Sequence, residues 1–426
     1  MRVWDLEKEY DRFISFILQG REKKKQNVGA AVEIIKQEVL QKKEKALVAF
    51  SRKWDQWDRN YPLKLSPEEI RRAASGISRE DVAVLKGMIK HVTSYHKGQK
   101  PGSRTYKRKG LSVHEEFVPV EKAMVYVPAG TAAYPSSLIM GVVPAKLAGV
   151  KEIYIATPAQ NGKVNPYICA AASLLNARHV YRVGGAQAIY AFAYGVGPIP
   201  KVDMIVGPGN AYVEEAKKDV YGSVGIDMLA GPTELMILCT EPFSPEALSW
   251  DMFSQAEHDE MALTGLFSAS KDHLKEVERS IKRLISANRR RQVVELALNK
   301  NGFLAYYRNI DKAIEAINRL APEHMELIGD RTKVKRVRYP GVIYVGPHTT
   351  VAMGDYYIGT NHVLPTSGAG RFSGGLSVDR FTKRKVVVTI EKSFVETYGE
   401  AAIRLSHIEG LFAHGEAIRT RKELLR

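Results

Sequence analysis

Apolar residues recur mostly every three or four positions through Val28, Val32, Ile35, Val39, Leu47, Phe50 and Trp54. That spacing predicts a helix over 28–54 with one buried face. Residues 1–21 read as a short amphipathic start. Ser66, followed by Pro67, Glu68 and Glu69, has the form of a helix start, with proline in the first turn and acids facing the positive end of the helix dipole. That helical region runs towards His96. From residue 124 the pattern changes. MVYV (124–127), EIYIAT (152–157), HVYRV (179–183), MIV (204–206) and ELMIL (234–238) are short apolar runs, and helical stretches at about 136–149, 166–177, 185–194 and 210–220 separate them. Strands alternating with helices predict a parallel sheet with right-handed crossovers, whose ligands sit at the carboxyl ends of the strands.

The region 240–376 is also mixed. Ser244-Pro245-Glu246 opens a helix to about His258. LTGLFSAS (263–270) and GVIYV (341–345) read as strands, long helices fill 271–299, and Pro322 stops a helix over 311–320. KVVVTI (385–390) and a helical tail from about 394 close the chain. The Gly/Ser/Thr-rich piece 359–377, which holds Asn361, His362 and Arg371, reads as a structured loop near a site.

With 426 residues the chain is long enough for two main domains. No apolar run reaches the roughly 18–20 residues of a membrane span, and the start MRVWDLEKEYDRF has no signal core. The only cysteines, Cys169 and Cys239, lie in apolar stretches outside any CxxC pair, which fits a reducing cytoplasm. The net charge of +16 raises the question of nucleic acid. The basic runs REKKKQ (21–26), QKKEK (41–45) and NRRRQ (288–292) read instead as solvated helix surface, and no nucleic-acid-binding motif accompanies them.

Three glycine loops follow strands: VPAGTAAYPSS (127–137), VGGAQAIYAFAYG (183–195) and VGPGNAY (206–212). Such turns bring backbone amides and a helix start to an anion, although a complete GxGxxG with an acid about 20 residues on is missing. Gln255 and His258 stand three apart on a predicted helix and share a face. With Asp355, His362 and His414 they form a nitrogen and oxygen donor set without thiolate, suited to zinc, with manganese or another divalent ion as alternatives. Ala321-Pro322-Glu323-His324 places a carboxylate beside an imidazole, the usual proton-transfer pair, although on a regular strand the two side chains point apart unless the backbone bends. His91, His96, His114, His179, His273, His348 and His407 read as structural or surface residues.

The motifs YVPAGTAAYPSS, GGAQAIYAFAYG, GPGNAYVEEAKK, GIDMLAGPTE, SQAEHD, APEHMEL, GDYYIGTNHVLPT, RFSGGLSV and EGLFAH, in this order over nearly the whole chain, resemble the histidinol dehydrogenase family. PAG in the first loop and Thr233 are small departures, where many relatives have PGG and serine. The resemblance implies an α/β fold of two incomplete Rossmann-like domains with parallel sheets, plus small N- and C-terminal helical appendages. It divides the chain into an appendage at 1–21, a first domain of 22–125 with 234–376 carrying metal and catalytic residues, an NAD-binding domain at 126–233, and a C-terminal domain at 377–426 exchanged within a homodimer.

By the same resemblance, Tyr126, Gln187 and Asn210 contact NAD. Gln255, His258, Asp355 and His414 bind one zinc ion per subunit, and Glu323 and His324 are the acid–base pair. Thr233, His362 and Glu409, with the zinc ligands and His324, hold the substrate. On a continuous tail helix Glu409 and His414, five apart, would diverge by about 140°. The implied activity is oxidation of L-histidinol to L-histidine through L-histidinal with two NAD, in a cytoplasmic enzyme with no nucleic-acid or membrane partner. A relative acting on another small alcohol, such as a sulfonated diol, and a basic nucleic-acid-binding scaffold are the alternative readings.

Overall fold

The computed structural model describes residues 1–23, 28–59, 61–129 and 133–423. In chain order it opens with β1 (Arg2–Asp5) and the helices α1 (Leu6–Lys23), α2 (Gly29–Lys42), α3 (Glu44–Trp54), α4 (Pro67–Ala74) and α5 (Arg79–His96). Then come β2 (Arg104–Arg108), β3 (Leu111–Pro119), β4 (Lys122–Tyr126), α6 (Pro135–Ala148), β5 (Glu152–Thr157), α7 (Pro166–Leu174), β6 (His179–Arg182), α8 (Gly185–Tyr194), β7 (Met204–Val206), α9 (Ala211–Val220) and β8 (Gly225–Ile226). The following stretch holds β9 (Glu234–Cys239), α10 (Pro245–Ala256), β10 (Leu263–Ser268), α11 (Lys271–Leu284), α12 (Arg291–Asn301), β11 (Phe303–Tyr306), α13 (Ile310–Leu320), β12 (His324–Ile328), β13 (Val342–Val345) and α14 (Val351–Tyr356). The chain ends with β14 (Thr382–Ile390), α15 (Lys392–Ile408) and α16 (Phe412–Glu423).

The strands of the α/β fold form two parallel sheets with one topology. One runs β6-β5-β4-β7-β8, the other β1-β11-β10-β9-β12-β13. From β4 and from β9 the chain grows two strands one way and then crosses to the other side, and β1 adds an edge strand beside β11 in the larger sheet. This is the Rossmann order without its sixth strand. The crossings leave topological switch points between β4 and β7 and between β9 and β12.

The start of the chain departs from the expected free appendage. β1 pairs with β11 as an edge strand of the six-stranded sheet, and Leu6, Phe13, Ile14 and Ile17 pack into the core beneath it. The helix predicted over 28–54 breaks at Lys43, whose φ of 51° belongs to the left-handed region. Val32, Ile35, Val39 and Leu47 join Tyr126, Tyr154 and Phe192 in one buried core, with α2 packed on α8 and α9 and α3 on α8. Trp54 lies exposed against Phe50. The helix start predicted at Ser66 is present, and it is a capping box: the Ser66 hydroxyl accepts from Glu69 N–H and its own N–H donates to the Glu69 carboxylate.

Residues 1–99 and 121–381 form one compact unit, and 100–120 with 382–426 form a second. The second contains an antiparallel sheet ordered β14-β3-β2, with α15 and α16. The hairpin over 104–119 therefore belongs with the tail, not with the first domain to which sequence reading assigned it. Its partner strand is more than 260 residues away, as in the Lys385–Glu116 ion pair separated by 269 positions. Among the described residues no helix is long and apolar enough to cross a membrane.

A buried charge cluster fixes the loop after β7. Lys217 on α9 is fully buried, 2.8 Å from Asp227 and 3.5 Å from Glu214, and donates to Gly207 O at 3.1 Å. Burial opposes its charge, yet the two carboxylates hold it above the usual lysine range. Asp227 accepts from Gly207 and Met228 N–H, and Glu214 from Gly209 and Ala230 N–H. The GPGN loop and the 227–231 segment thus share one cluster. Lys217→Met strands buried carboxylates and lowers stability by about 3–5 kcal/mol, measurable by urea denaturation.

Candidate active site

Two groups of side chains gather at opposite kinds of strand end. The first lies at the carboxyl ends of β4, β6 and β7. Tyr126 ends β4, is buried, and its hydroxyl accepts from Gly185 N–H at 3.0 Å, at the start of α8. Gln187, one turn into α8, is buried with its Oε1 unpartnered. Asn210 caps α9, accepting from the N–H groups of Tyr212 and Val213, and is exposed. Gly207 has a φ of 111°, and a Cβ there would lie 2.2 Å from Tyr126 O. Only glycine permits this approach of β7's end to β4's end at the switch point. Tyr126, Gln187 and Asn210 thus follow the carboxyl ends of β4, β6 and β7, where a doubly wound sheet has its crevice.

The second group sits at the amino ends of β9 and β12, not at the carboxyl ends where ligands of such sheets were expected. Ala321, with a φ of 44°, ends α13 in the left-handed region, and Pro322 follows. Glu323 thus precedes the strand and His324 begins it. The backbone bend that sequence reading required is present, and Glu323 Oε2 lies 3.4 Å from His324 Nδ1.

Glu323 Oε2 also accepts from Thr233 Oγ1 at 2.5 Å and from Glu234 N–H at 3.0 Å. Burial opposes the Glu323 charge, but the His324 imidazole and these donors hold it below the usual carboxylate range. For His324 burial again opposes charge, and Glu323 overcomes it, pushing the imidazole up to about 9. The pair rests as carboxylate and imidazolium. Its stabilisation is complete between about 4.5 and 6.5, the ordinary values of the two groups. It declines as pH falls through the lowered Glu323 value or rises through about 9.

His324 Nδ1 faces only acceptors, Glu323 Oε2 and Glu234 O at 3.2 Å. The neutral ring therefore keeps its proton on Nδ1 and presents a lone pair on Nε2, which is buried and without a hydrogen-bond partner. That is the form of a general base awaiting a proton from a ligand.

Thr233 extends the network. Its hydroxyl accepts from Gln255 Nε2 while donating to Glu323, which leaves the Gln255 carboxamide oxygen turned away from this contact. His258 is exposed and lies beyond α10, which ends at Ala256, rather than on the helix face predicted for it. Its N–H reaches Gln255 O at 3.4 Å in the closing turn. Asp355 is half-buried on α14. His362 Nδ1 donates to Asp355 O at 3.0 Å, and its Nε2 lies 3.4 Å from Ser137 Oγ. Burial pulls His362 below the usual histidine range, and the charges of Asp355, His324 and His258 all act on it. Thr233, Gln255, His258, Glu323, His324, Asp355 and His362 thus form one neighbourhood.

A cavity of about 320 Å³ adjoins this neighbourhood, lined by His258, Tyr134, Ser136, Glu257, Arg290 and Tyr356 among others. His414 on α16 and Glu409, which ends α15, are exposed members of the second unit. They lie on two helices, because the chain turns at Gly410 with a φ of 72°, so the single-helix relation expected for them does not apply.

Sequence reading missed the support beneath the Glu323–His324 pair. Glu234, whose backbone holds both Glu323 and His324, has a buried carboxylate gripped by Arg21 at 2.7 and 2.8 Å. The same guanidinium donates to Leu320 O at 2.7 Å, just before the Glu323 bend. Arg21 was read as part of a solvated basic run, but it is buried. Arg21→Lys loses the two-pronged geometry. It lowers kcat by about 10–100-fold with dinucleotide affinity unchanged, as steady-state kinetics and calorimetry would show.

The family model described as histidinol dehydrogenase matches residues 18–422. The chain belongs to the histidinol dehydrogenase family. It is 40% identical over 402 residues to a Bacillus cereus histidinol dehydrogenase, covering 93% of each chain. It is 40% identical over 383 residues to one from Dechloromonas aromatica, covering 89% of this chain and 88% of that one. The crystal structure of histidinol dehydrogenase from Elizabethkingia anophelis superposes with a TM-score of 0.91 at 29% identity, covering 100% of this chain and 98% of that one.

Among the described residues, no three His, Cys, Asp or Glu side chains come together as a complete metal-holding group. The first unit offers the Gln255 oxygen, the exposed His258 ring and the half-buried Asp355 carboxylate. These mixed nitrogen and oxygen donors are compatible with zinc, and a fourth ligand has to come from elsewhere.

Proposed function

We propose that this enzyme of the histidinol dehydrogenase family oxidises L-histidinol to L-histidine through L-histidinal, with NAD and zinc. The observation that carries the reading is the buried, unpartnered His324 Nε2 on a ring whose Nδ1 lies 3.4 Å from the Glu323 carboxylate. We assign the five-stranded sheet, with Tyr126, Gln187 and Asn210, to the dinucleotide.

Zinc fits Gln255, His258, Asp355 and His414 by donor chemistry, and when bound it supplies a fixed positive centre that orients the substrate's imidazole and amine. Two molecules of NAD, one per oxidation, supply the hydride acceptor. His324 Nε2 takes the alcohol proton as the carbinol carbon gives up hydride, leaving an aldehyde. Glu323 then takes a proton from water as that water adds to the aldehyde. The protonated His324 returns its proton to the oxyanion formed, giving the hydrate, and, neutral again, removes a proton from that hydrate as the second hydride leaves, giving the acid. Thr233 holds Glu323 in place throughout, while His362 and Glu409 meet the substrate's polar groups.

The reading extends to a homodimer whose tails are exchanged, so that Glu409 and His414 complete the neighbouring subunit's site. Val388, Ile390, Leu405, Ile408 and Phe412 leave a large apolar surface exposed on the second unit, as an interface requires. Both cysteines are free and buried, in keeping with a reducing compartment such as the cytoplasm. Stripping the purified protein with a chelator should abolish L-histidinol oxidation, and adding zinc back should restore it. Full activity in the metal-free protein would rule out the metal's role.

A further inference from the structure

Asp55, directly after α3, is a buried acid with no explained role. Its Oδ2 has no hydrogen-bond partner among the described residues, and burial pushes its carboxyl up to about 6. Isolated buried carboxylates are costly and call for a ligand or a function. Its position is well defined. Asp55 O accepts from Asn161 N–H at 2.9 Å, and the Trp57 indole donates to Ala159 O at 2.9 Å. The segment 55–57 is thereby fastened to the loop that leaves β5. The Asp55 charge also acts on the Tyr126 hydroxyl at the end of the adjacent strand β4.

In a doubly wound sheet, an acid at the end of the second strand accepts the ribose 2′-hydroxyl of NAD. Here β5 is that second strand, but it ends in Thr157, itself buried with an unpartnered hydroxyl, followed by Pro158. Asp55, directly after α3, is the acid fastened against the loop that leaves this strand. Gln187 Oε1, a second unpartnered buried acceptor, lies at the start of α8 beside Tyr126.

We infer that Asp55 accepts hydrogen bonds from the adenosine ribose hydroxyls of the dinucleotide and that its negative charge selects against a 2′-phosphate, making it the residue that favours NAD over NADP. This rests on the reading that the crevice holds NAD. The glycine fingerprint and its acid are absent from the sequence because the acid arrives from a different element, about 70 residues before the strand that begins the sheet.

Isothermal titration of the full-length enzyme with NAD and with NADP, for wild type, Asp55→Asn and Asp55→Ser, tests it. The expected result is wild-type preference for NAD, a loss of NAD affinity of about 10–100-fold in each variant, and NADP affinity unchanged or higher. Thermal melting checks folding, and Asp55→Asn should melt no lower than wild type because it removes an unpaired buried charge. A preference ratio unmoved in both folded variants, or an equal loss of both dinucleotides, overturns the assignment of Asp55. Wild-type enzyme without NAD affinity overturns the cofactor reading itself, a result distinguishable from an unmoved ratio.

Discussion

His324→Asn and Glu323→Gln each lower kcat by about 10²–10⁴-fold, the range that a positioned acid or base contributes, while NAD affinity stays within about twofold. The expectation follows from where these side chains point. His324 Nδ1 is committed to Glu323 and Glu234 O, and only Nε2 is available to a ligand. Neither residue touches Tyr126, Gln187 or Asn210 through any hydrogen bond among the described residues, so dinucleotide binding has no reason to change. The pH profile separates a chemical from a structural role. Glu323 pushes the imidazole up to about 9, so wild-type kcat climbs with pH as His324 loses its proton. Glu323→Gln removes the charge that raises the imidazole, and the residual activity climbs at lower pH. A collapse of NAD affinity, or an unshifted limb in Glu323→Gln, contradicts the assigned roles.

Mixing two inactive proteins produces the second large effect. Glu323→Gln removes a group from the first unit, and His414→Asn removes one from the tail. In a mixed dimer with exchanged tails, one site carries both substitutions and the other carries neither, so each mixed dimer recovers about half of wild-type activity. If each tail serves its own subunit, both sites of the mixed dimer stay defective and no activity returns. Co-expression with two affinity tags and sequential purification isolates the mixed species.

The sequence pattern was most informative where structure is local. The strand EIYIAT, the helix over 185–194 and the helix start at Ser66 occur where the pattern placed them. It was least informative where a residue's partner is distant. Arg21 and Glu234 are 213 positions apart, so a basic run that looked solvated contains the cation beneath the Glu323–His324 pair. Glu234 opens a fully buried strand, and a charge at the head of an apolar run is a signal that could have exposed it. The β2–β3 hairpin was invisible for the same reason, since its third strand comes from the tail.

The candidate site was legible as residue types but not as geometry. Glu323 and His324 look like a turn that stops a helix until the left-handed Ala321 turns both side chains to one side. Gln255 and His258 shared a predicted helix face, yet α10 ends between them. The placement of chemistry at the amino ends of β9 and β12 also ran against the usual rule for such sheets.

Counting NADH formed by the zinc-loaded enzyme from a limiting amount of L-histidinol tests the central claim most directly. Two NADH per L-histidinol consumed, with L-histidine as the product, is the expected result. One NADH with free aldehyde, or no NADH from folded and metal-loaded protein, would contradict it.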